Sequence, residues 1–497
     1  MISSTINSAQ IAQANPLFFP HALLGERALT EGPRYLVQDP ATEQVIAEVS
    51  RCGAAEVAEA VGLAREAQRA WAASLPKQRA RKLRAWFELI EAQRDALAEL
   101  ITLESGKPLA EAKGEVSYGA SFVEWFAEEA KRTYGELIPS FGHGRRLVTT
   151  QAPVGVVAAI TPWNFPLAMI TRKCAPALAA GCAVVLKPAE GTPLSALALA
   201  RLAREAGIPA ALLSVVTTDR AGAEELGAAL CDHPEVRKLT FTGSTAVGKW
   251  LMARSAQRLH RLSLELGGNA PLLVFEDAQL DKVLRGVMVS KFRNTGQTCI
   301  CANRILVHRS RFDEVLAGLR PLVEGLKIGH GLSGDAQLGP LITEGSRQRL
   351  EALVSASVER GAELICGGSA LPELGPRFFE PTIIAHPSAD DPICSQELFG
   401  PIVTLSAFDT EEEALALAND TRAGLAAYLF TEDQGRAWRV AEALEYGMVA
   451  VNDGALSSEV APFGGVKESG LGREGGRQGI QEFLELKYLM LGGLEGL

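Results

Sequence analysis

The sequence predicts an α/β fold, in which parallel strands are wound with helices. Short apolar runs alternate with Ala- and Leu-rich helical stretches over residues 155–274. A second alternating pattern runs from residue 281 to about residue 460, and residues 54–100 have helical periodicity. Ligands bind at the carboxyl ends of the strands in such sheets, so the functional residues are expected there.

The first 150 residues lack the regular alternation of strands and helices that the rest of the chain shows. Residues 17–52 contain short strands, and residues 113–133 continue the helical pattern. Residues 145–150 alternate like a strand of an exposed ribbon, which is either an arm that pairs with another subunit or an ordinary surface hairpin. Residues 1–16 carry no charge and no apolar h-region, which predicts a loose leader and not a signal peptide.

Five apolar runs in the first alternating region predict buried strands. They cover residues 156–160, 183–186, 213–216, 239–242 and 272–275.

Composition excludes several classes of function. The net charge of −10 leaves no basic surplus for nucleic acid or an anionic membrane. The eight cysteines are too sparse for a disulfide scaffold and lack zinc-ligand spacing, so we expect no metal and a reducing, cytoplasmic location. An acidic protein would need a local basic pocket to bind an acidic substrate.

A glycine-rich turn after a strand provides the first candidate site. Residues 243–250 follow an apolar run and open a helix, so that Gly243 and Ser244 would stand where a phosphate can bind. The turn nearly matches a Walker A loop, but Trp250 replaces the residue that would bind magnesium, which argues against an ATPase. A plain strand-to-helix turn is the alternative.

Lys187 and Glu190 end an earlier strand of the same region. Lys187 could hold ribose hydroxyls or a phosphate. Glu190 could accept hydrogen bonds from a ribose diol and would repel a 2′-phosphate, which favours NAD over NADP. A Lys and a Glu at a strand end are otherwise ordinary surface residues.

Three residues together suggest attack on a carbonyl group. Cys299 could be the nucleophile, Glu265 between apolar neighbours could be a general base, and Asn164 between two prolines could donate to an oxyanion. Each has an ordinary explanation as a packed thiol, a solvated carboxylate or a turn residue.

Seven ordered motifs resemble the NAD(P)-dependent aldehyde dehydrogenase superfamily, and they span nearly the whole chain beyond the leader. They lie at residues 162–166, 187–190, 241–244, 265–268, 296–299, 397–401 and 462–465. The likeness is closest to the succinate-semialdehyde dehydrogenases, through residues 169–173, 292–295, 299–304, 445–447, 457–465 and 469–475.

The resemblance implies a role for each candidate residue. Cys299 would attack the aldehyde, Asn164 and the Cys299 N–H would hold the oxyanion, and hydride would leave to the nicotinamide to give a thioester. Glu265 would then activate the water that releases the acid. The implied cofactor contacts are Glu397 on one ribose, Lys187 and Glu190 on the other, and Trp163, Gly243, Ser244 and Leu266 along the site.

The same resemblance implies the substrate. Residues matching Arg172, Arg293 and Ser457 grip the remote carboxylate of a semialdehyde, and guanidinium groups suit a carboxylate. Succinate semialdehyde is the leading substrate, and glutarate semialdehyde or a broader range of aldehydes is the alternative. A further alternative is a non-catalytic binding protein with the same fold.

The resemblance also suggests a role for Cys301. Cys301 could form a disulfide with Cys299 that blocks catalysis under oxidation, or it could be a packed thiol.

The fold implied is aldehyde dehydrogenase-like, with a Rossmann-type cofactor domain over residues 17–136 and 160–264. Residues 265–465 would form an α/β catalytic domain. Residues 137–159 and 466–497 would form a small β oligomerisation arm, which implies a homodimer or homotetramer.

Overall fold

The α/β prediction is confirmed in a computed structural model of the chain, which describes residues 7–495. The strands in chain order are β1 (Leu23–Leu24), β2 (Arg27–Ala28), β3 (Arg34–Gln38), β4 (Val45–Ser50), β5 (Leu137–Ile138), β6 (Arg146–Pro153), β7 (Val156–Ile160), β8 (Ala183–Lys187), β9 (Leu213–Val215), β10 (Val236–Thr242), β11 (Arg261–Glu265), β12 (Ala270–Val274), β13 (Ala302–His308), β14 (Glu363–Cys366), β15 (Thr382–Ala385), β16 (Ile402–Phe408), β17 (Ala426–Phe430), β18 (Met448–Val451), β19 (Gly470–Leu471) and β20 (Leu484–Leu491).

Helices connect most of these strands. They are α1 (Ser8–Ala14), α2 (Ala54–Ala73), α3 (Pro76–Ala92), α4 (Arg94–Ser105), α5 (Leu109–Glu129), α6 (Ala168–Ala180), α7 (Leu194–Glu205), α8 (Ala223–Asp232), α9 (Thr245–Ser255), α10 (Leu280–Phe292), α11 (Phe312–Glu324), α12 (Glu344–Glu359), α13 (Pro392–Ser395), α14 (Glu411–Asn419), α15 (Gln434–Ala443) and α16 (Gln478–Gln481).

The larger sheet has eight strands in the order β19-β11-β10-β7-β8-β9-β1-β2. The five strands from β11 to β9 are parallel, and the strands beyond them at either edge are antiparallel. All five residues of β7 and β8 are buried, as apolar runs between two layers of helices require. The carboxyl ends of β7, β8, β10 and β11 therefore lie along one edge of the sheet.

The second sheet has seven strands in the order β14-β15-β16-β13-β12-β17-β18 and is parallel except for β14. Strand β12 covers the last apolar run of the first alternating region, yet it pairs with β13 and β17. The chain thus changes sheets between Glu265 and Ala270. A continuous apolar run does not reveal which sheet a strand joins.

The predicted ribbon is strand β6, which pairs along its whole length with β20 and at one end with β5. Two parts of the predicted arm lie elsewhere. Residues 156–159 belong to β7 in the middle of the larger sheet, and Gly470–Leu471 form its edge strand β19. Strands β6 and β7 are separated only by Val154 and Gly155, and the domain boundaries stay a prediction.

The prediction of a loose leader is wrong for residues 8–14, which form helix α1. The side chain of Asn7 caps this helix, and Ser8 is buried, with its hydroxyl bonded to Asp39. The first six residues of the predicted leader lie outside the described residues. Within residues 7–495 no helix is both long and apolar enough to cross a membrane, and no cluster of side chains is arranged to hold a metal ion.

Candidate active site

A cavity of about 250 Å³ lies beside the carboxyl ends of the parallel strands. Ten of the predicted site residues line it. These are Trp163, Asn164, Arg172, Gly243, Ser244, Leu266, Arg293, Glu397, Cys299 and Ser457. Further lining residues, which sequence reasoning did not select, are mostly apolar: Tyr118, Pro162, Phe165, Met169, Ile300, Phe399 and Phe463 among them. Lys187, Glu190, Glu265 and Cys301 do not line the cavity.

The segment that carries Cys299 links α10 to β13 and has an unusual backbone. Asn294 and Thr295 adopt φ angles of 53° and 56° and are followed by Gly296 at 72°. Non-glycine residues avoid this region unless neighbouring groups hold them there. The Thr295 hydroxyl donates to the Gly339 carbonyl and accepts from the Gly339 N–H, at 3.2 and 2.9 Å. The segment is therefore held in place before any substrate binds.

Close packing fixes the nucleophile from the other side. A Cβ atom on Gly268 would lie 2.1 Å from the Cys299 carbonyl oxygen, so only glycine allows this approach. Burial raises the pKa of the Cys299 thiol, the carboxylates of Glu397 and Glu265 raise it further, and the Arg172 guanidinium lowers it. The thiol consequently needs a base or a nearby cation to become a thiolate.

Asn164 follows β7 and is buried with its amide against the nucleophile segment. Its Nδ2 donates to the Gln297 carbonyl oxygen at 3.0 Å. An amide nitrogen carries two protons, so one remains for a second acceptor on the cavity side. This geometry suits Asn164 as an oxyanion donor.

Glu265 ends β11 and is only 2% exposed. Neither carboxylate oxygen has a hydrogen-bond partner within the described residues. Burial raises its pKa well above the usual range and Glu474 adds to this, while Arg172, Lys173 and Arg473 act in the opposite direction. A carboxyl group with a raised pKa can accept a proton near neutral pH, as a general base must.

Glu474 is a residue that sequence reasoning missed. Its carboxylate contacts two cations of α6, with Arg172 Nη2 2.9 Å away and Lys173 Nζ in closer contact. All three side chains are at least 94% buried. Glu474 stands between Arg473 and Gly475 in the sequence, and nothing in that local pattern distinguishes a buried carboxylate from a solvated one.

The two predicted arginines of the cavity differ in their pairing. Arg172 pairs with Glu474 and lies over the Phe463 ring at 4.0 Å. Arg293 makes no hydrogen bond or ion pair among residues 7–495, and its guanidinium carbon lies 4.9 Å from the centre of the Phe165 ring. A guanidinium on an apolar wall that forms no ion pair is suited to bind an anion.

Three of the predicted nucleotide residues lie at carboxyl ends of strands in the larger sheet: Lys187 ends β8, Ser244 stands two residues after β10 and Leu266 follows β11. Glu397 precedes β16 of the second sheet. Ser244 caps α9, where its side chain accepts from the Val247 N–H at 3.4 Å. Glu397 accepts from the Gly268 N–H at 3.0 Å, and burial raises its pKa to about 7. Lys187, at the end of β8, is buried, which lowers its pKa.

These residues fit a dinucleotide. The amino end of α9 provides free N–H groups and the positive end of a helix for a pyrophosphate. Lys187 and the half-buried Glu190 can meet a ribose. Glu397 can meet a second ribose inside the cavity that also contains Cys299.

Cys301 is separate from the cavity. It is 2% exposed, its Sγ lies 2.9 Å from the Thr298 hydroxyl, and it donates weakly to the Lys291 carbonyl at 3.4 Å. Both Cys299 and Cys301 are free thiols in this structure. A disulfide between them would require Cys301 to leave these contacts.

The fold, the cavity and its thiol define an enzyme that acts on a small molecule beside a nucleotide. The model of the aldehyde dehydrogenase family matches residues 29–489. The chain therefore belongs to the aldehyde dehydrogenase family, as the motifs predicted. It is an NAD(P)-dependent oxidoreductase that acts on aldehydes.

Three proteins that are similar to this chain are named as semialdehyde dehydrogenases. A succinate-semialdehyde dehydrogenase of Escherichia coli, named for NADP(+), is 51% identical over 478 residues, which cover 96% of this chain and 98% of that protein. A glutarate-semialdehyde dehydrogenase of Pseudomonas aeruginosa is 51% identical over 463 residues, or 93% and 95% of the two chains. A crystal structure of succinate-semialdehyde dehydrogenase from Burkholderia pseudomallei has a TM-score of 0.94 and 50% identity, and the match covers 96% of this chain and 99% of that one.

Proposed function

We propose that the enzyme oxidises succinate semialdehyde to succinate, with water as the second substrate and NAD(P)+ as the oxidant. The observation that carries this proposal is the unpaired guanidinium of Arg293 in the same cavity as Cys299. An aldehyde with a remote carboxylate can place one end at the thiol and the other at the arginine. The related succinate-semialdehyde dehydrogenases support the same substrate.

Side chains of the cavity, together with the buried Glu265 outside its lining, account for the covalent steps. The Cys299 thiol releases its proton to water, with the Arg172 guanidinium favouring the thiolate, and Sγ then attacks the aldehyde carbon. Asn164 Nδ2 and the Cys299 N–H donate to the oxygen that becomes negative. Ser244, Lys187 and Glu397 would hold NAD(P)+, which would supply the hydride acceptor, and loss of hydride from this carbon would leave a thioester on Cys299. Glu265 takes a proton from water, the resulting hydroxide attacks the thioester, and the acid leaves as the thiol re-forms.

Arg172 and Ser457 complete the proposed grip on the carboxylate. Arg172 Nε and Nη2 make no hydrogen bond within the described part of the chain, although Nη2 is in ion-pair contact with Glu474. The Ser457 hydroxyl lines the same cavity and can donate to one carboxylate oxygen. Two guanidinium groups and a hydroxyl can satisfy a carboxylate that the apolar walls would otherwise exclude.

NAD is the proposed physiological cofactor. Glu190 is half-buried near the end of β8, three residues after Lys187. Its carboxylate can accept from a ribose diol and would repel a 2′-phosphate. Lys187 can accommodate either cofactor, and the Escherichia coli relative is named for NADP(+), so NADP stays the alternative.

Glutarate semialdehyde is the second candidate substrate. It is one methylene longer, and a pocket distinguishes one methylene by only about 1–3 kcal/mol. The Pseudomonas aeruginosa relative is named for this aldehyde. Both semialdehydes offer the same carboxylate to Arg293.

We further propose that the enzyme assembles through the three-stranded sheet formed by β20, β6 and β5, and that it works in the cytoplasm. Strand β20 lies at the edge of that sheet and exposes Leu486, Tyr488 and Met490 by more than half. Long apolar edge strands tend to pair with another chain. Light scattering should give the mass of a dimer or tetramer, and a monomer would contradict the assembly.

The proposed cytoplasmic location is supported by the cysteines. All eight are free thiols, which suits a reducing compartment.

We also propose that oxidation joins Cys299 and Cys301 in a disulfide that blocks catalysis. Peroxide should inactivate the enzyme, and dithiothreitol should restore it. Cys301→Ala should keep full activity in reducing buffer and lose the reversible component. If reductant restores that variant equally well, Cys301 has no part in the inactivation.

A panel of aldehydes tests the proposed function. Initial rates of cofactor reduction would be measured with succinate semialdehyde, glutarate semialdehyde and butanal, each with NAD+ and NADP+. We expect the highest kcat/KM for succinate semialdehyde with NAD+. Equal kcat/KM for butanal and the semialdehydes would contradict a carboxylate-binding role for the arginines.

A further inference from the structure

A buried ammonium group lies behind the oxyanion donor, outside the cavity. Lys107 follows the turn at the end of α4 and is 2% exposed. Its Nζ pairs with the fully buried carboxylate of Glu115 and donates to the backbone carbonyl of Asn164 at 2.9 Å. The same Nζ lies 3.9 Å from the centre of the Phe165 ring. Lys107 therefore contacts the wall of the cavity from the rear.

Glu115 connects this ammonium to the next helix. Its Oε1 accepts the N–H groups of Leu167 and Ala168 at 2.9 and 3.2 Å, at the start of α6. A carboxylate is favourable at the amino end of a helix, where backbone N–H groups lack partners. The ion pair thus joins the backbone at Asn164 to the beginning of the helix that carries Arg172.

The Asn164 carbonyl has a second donor from the nucleophile segment. Asn294 Nδ2 lies 3.1 Å from it and 3.2 Å from the Gln297 carbonyl. Glu111 accepts the Asn294 N–H at 2.8 Å and so holds this residue in its left-handed conformation. Asn164 donates in turn from its side chain to Gln297. The Asn164 backbone carbonyl therefore accepts from both Lys107 and Asn294. The Asn164 side chain donates to the same Gln297 carbonyl that Asn294 contacts.

We propose that Lys107 and Asn294 are positioning residues for the oxyanion site, and that they act through the Asn164 carbonyl. Rotation of that peptide group would swing the Asn164 side chain away from the carbonyl oxygen of the substrate. Two donors to the same carbonyl oxygen, one of them charged, oppose this rotation. The inference rests on the proposed role of Asn164 and adds the groups that hold it.

Removal of the ammonium should slow the chemistry without weakening binding. Lys107→Met alone would leave Glu115 buried and unpaired, so the test uses Lys107→Met combined with Glu115→Gln, which retains the acceptor for α6. A misplacement of the order of 1 Å can cost about 100-fold in rate. We expect kcat to fall roughly 10- to 100-fold, with KM for the aldehyde and the Kd for NADH changed less than twofold. Both oxidation and thioester hydrolysis pass through an oxyanion, so the loss appears whichever of these two chemical steps limits.

A mutant cycle with Asn164→Ala distinguishes positioning from general damage. Asn164→Ala alone should lower kcat about 100- to 1000-fold, the usual effect of losing one oxyanion donor. The Lys107/Glu115 double variant should then have less than a twofold further effect in that background, because the group it positions is gone.

The Asn294→Gly variant tests the second donor to the Asn164 carbonyl. Glycine accepts the left-handed backbone at this position and removes the side-chain donor. Its effect on kcat should also disappear in the Asn164→Ala background. This variant keeps the proposal testable if the double variant fails to fold.

A matched control comes from another buried lysine pair. Lys238 is fully buried on β10, and its Nζ lies 3.3 Å from Glu482. Lys238→Met combined with Glu482→Gln should lower the Tm comparably and leave kcat within twofold of the wild type. Additive effects of the Lys107 and Asn164 changes would overturn the proposal, and so would an unchanged kcat in the Lys107/Glu115 variant. If Asn164→Ala itself leaves kcat unchanged, the proposed oxyanion role fails as well.

Discussion

Replacement of Arg293 by Gln should remove the preference for aldehydes with a carboxylate. Arg293 forms no hydrogen bond or ion pair within the described residues, and its guanidinium carbon lies 4.9 and 5.8 Å from the centres of the Phe165 and Tyr118 rings. The Glu111 carboxylate interacts with it only at longer range. The charge of Arg293 is thus available for the substrate, whereas that of Arg172 is already opposed by Glu474.

The size of the loss follows from the burial of the contact. Truncation of one partner of a buried, hydrogen-bonded charge pair costs about 2–5 kcal/mol. Arg293 is half-buried, so we expect the lower part of that range, about 2–3 kcal/mol. This corresponds to a fall of roughly 30- to 160-fold in kcat/KM for succinate semialdehyde.

The assay compares succinate semialdehyde with butanal, which has the same number of carbons and no carboxylate. Kcat/KM for butanal should change less than threefold in Arg293→Gln, since its oxidation does not use the charge. Arg293→Lys should lose less than Arg293→Gln, because it keeps the charge but not the planar fork. Arg309→Gln, which removes an exposed ion pair with Asp409, is the matched surface control. Parallel losses for both aldehydes in Arg293→Gln would refute the carboxylate-binding role.

Three further predictions concern Glu265, Glu474 and Glu190. Because burial raises the pKa of Glu265, the base becomes protonated as the pH falls through a value above the usual Glu range, and kcat should decline there in a pH profile. Glu474→Gln removes a negative charge beside Glu265 and frees Lys173 and Arg172, so the acidic limb of that profile should move to lower pH, while the unpaired buried cations should lower the Tm. An unmoved limb would contradict the coupling. Glu190→Ala should raise kcat/KM for NADP+ relative to NAD+ by roughly fivefold or more, the effect of removing about 1 kcal/mol of charge repulsion. An unchanged ratio would exclude Glu190 as the discriminating residue.

Site residues near strand ends were predictable from the sequence, because the apolar run that forms a strand also determines where the residues at its end lie. Asn164 stands four residues after the end of the buried strand β7, and Glu265 ends β11. Parallel strands present their carboxyl ends at one edge, so two short apolar runs suffice to bring these side chains together. Cys299 entered the same site because its segment links a helix to the second sheet.

Other features depend on contacts between distant parts of the chain. Lys107, Glu115 and Glu474 look like ordinary surface charges in the sequence, and only tertiary structure shows that they are buried against partners up to 301 residues away. The transfer of the chain to the second sheet after Glu265 depends on the pairing of β12 with β13, which an apolar run does not encode. Helix α1 is capped by Asn7 and anchored by the hydrogen bond of the buried Ser8 to Asp39, a tertiary contact that the sequence of residues 8–14 does not reveal.

The most direct test of the central claim is the detection of an acyl group on Cys299. Glu265→Gln would be mixed with succinate semialdehyde and NAD+, quenched with acid, digested and analysed by mass spectrometry. The account predicts one equivalent of NADH per active site, formed in a burst, and a succinyl thioester on the peptide that contains Cys299. Steady turnover by Cys299→Ala, or a burst of NADH without an acyl group on that peptide, would contradict it.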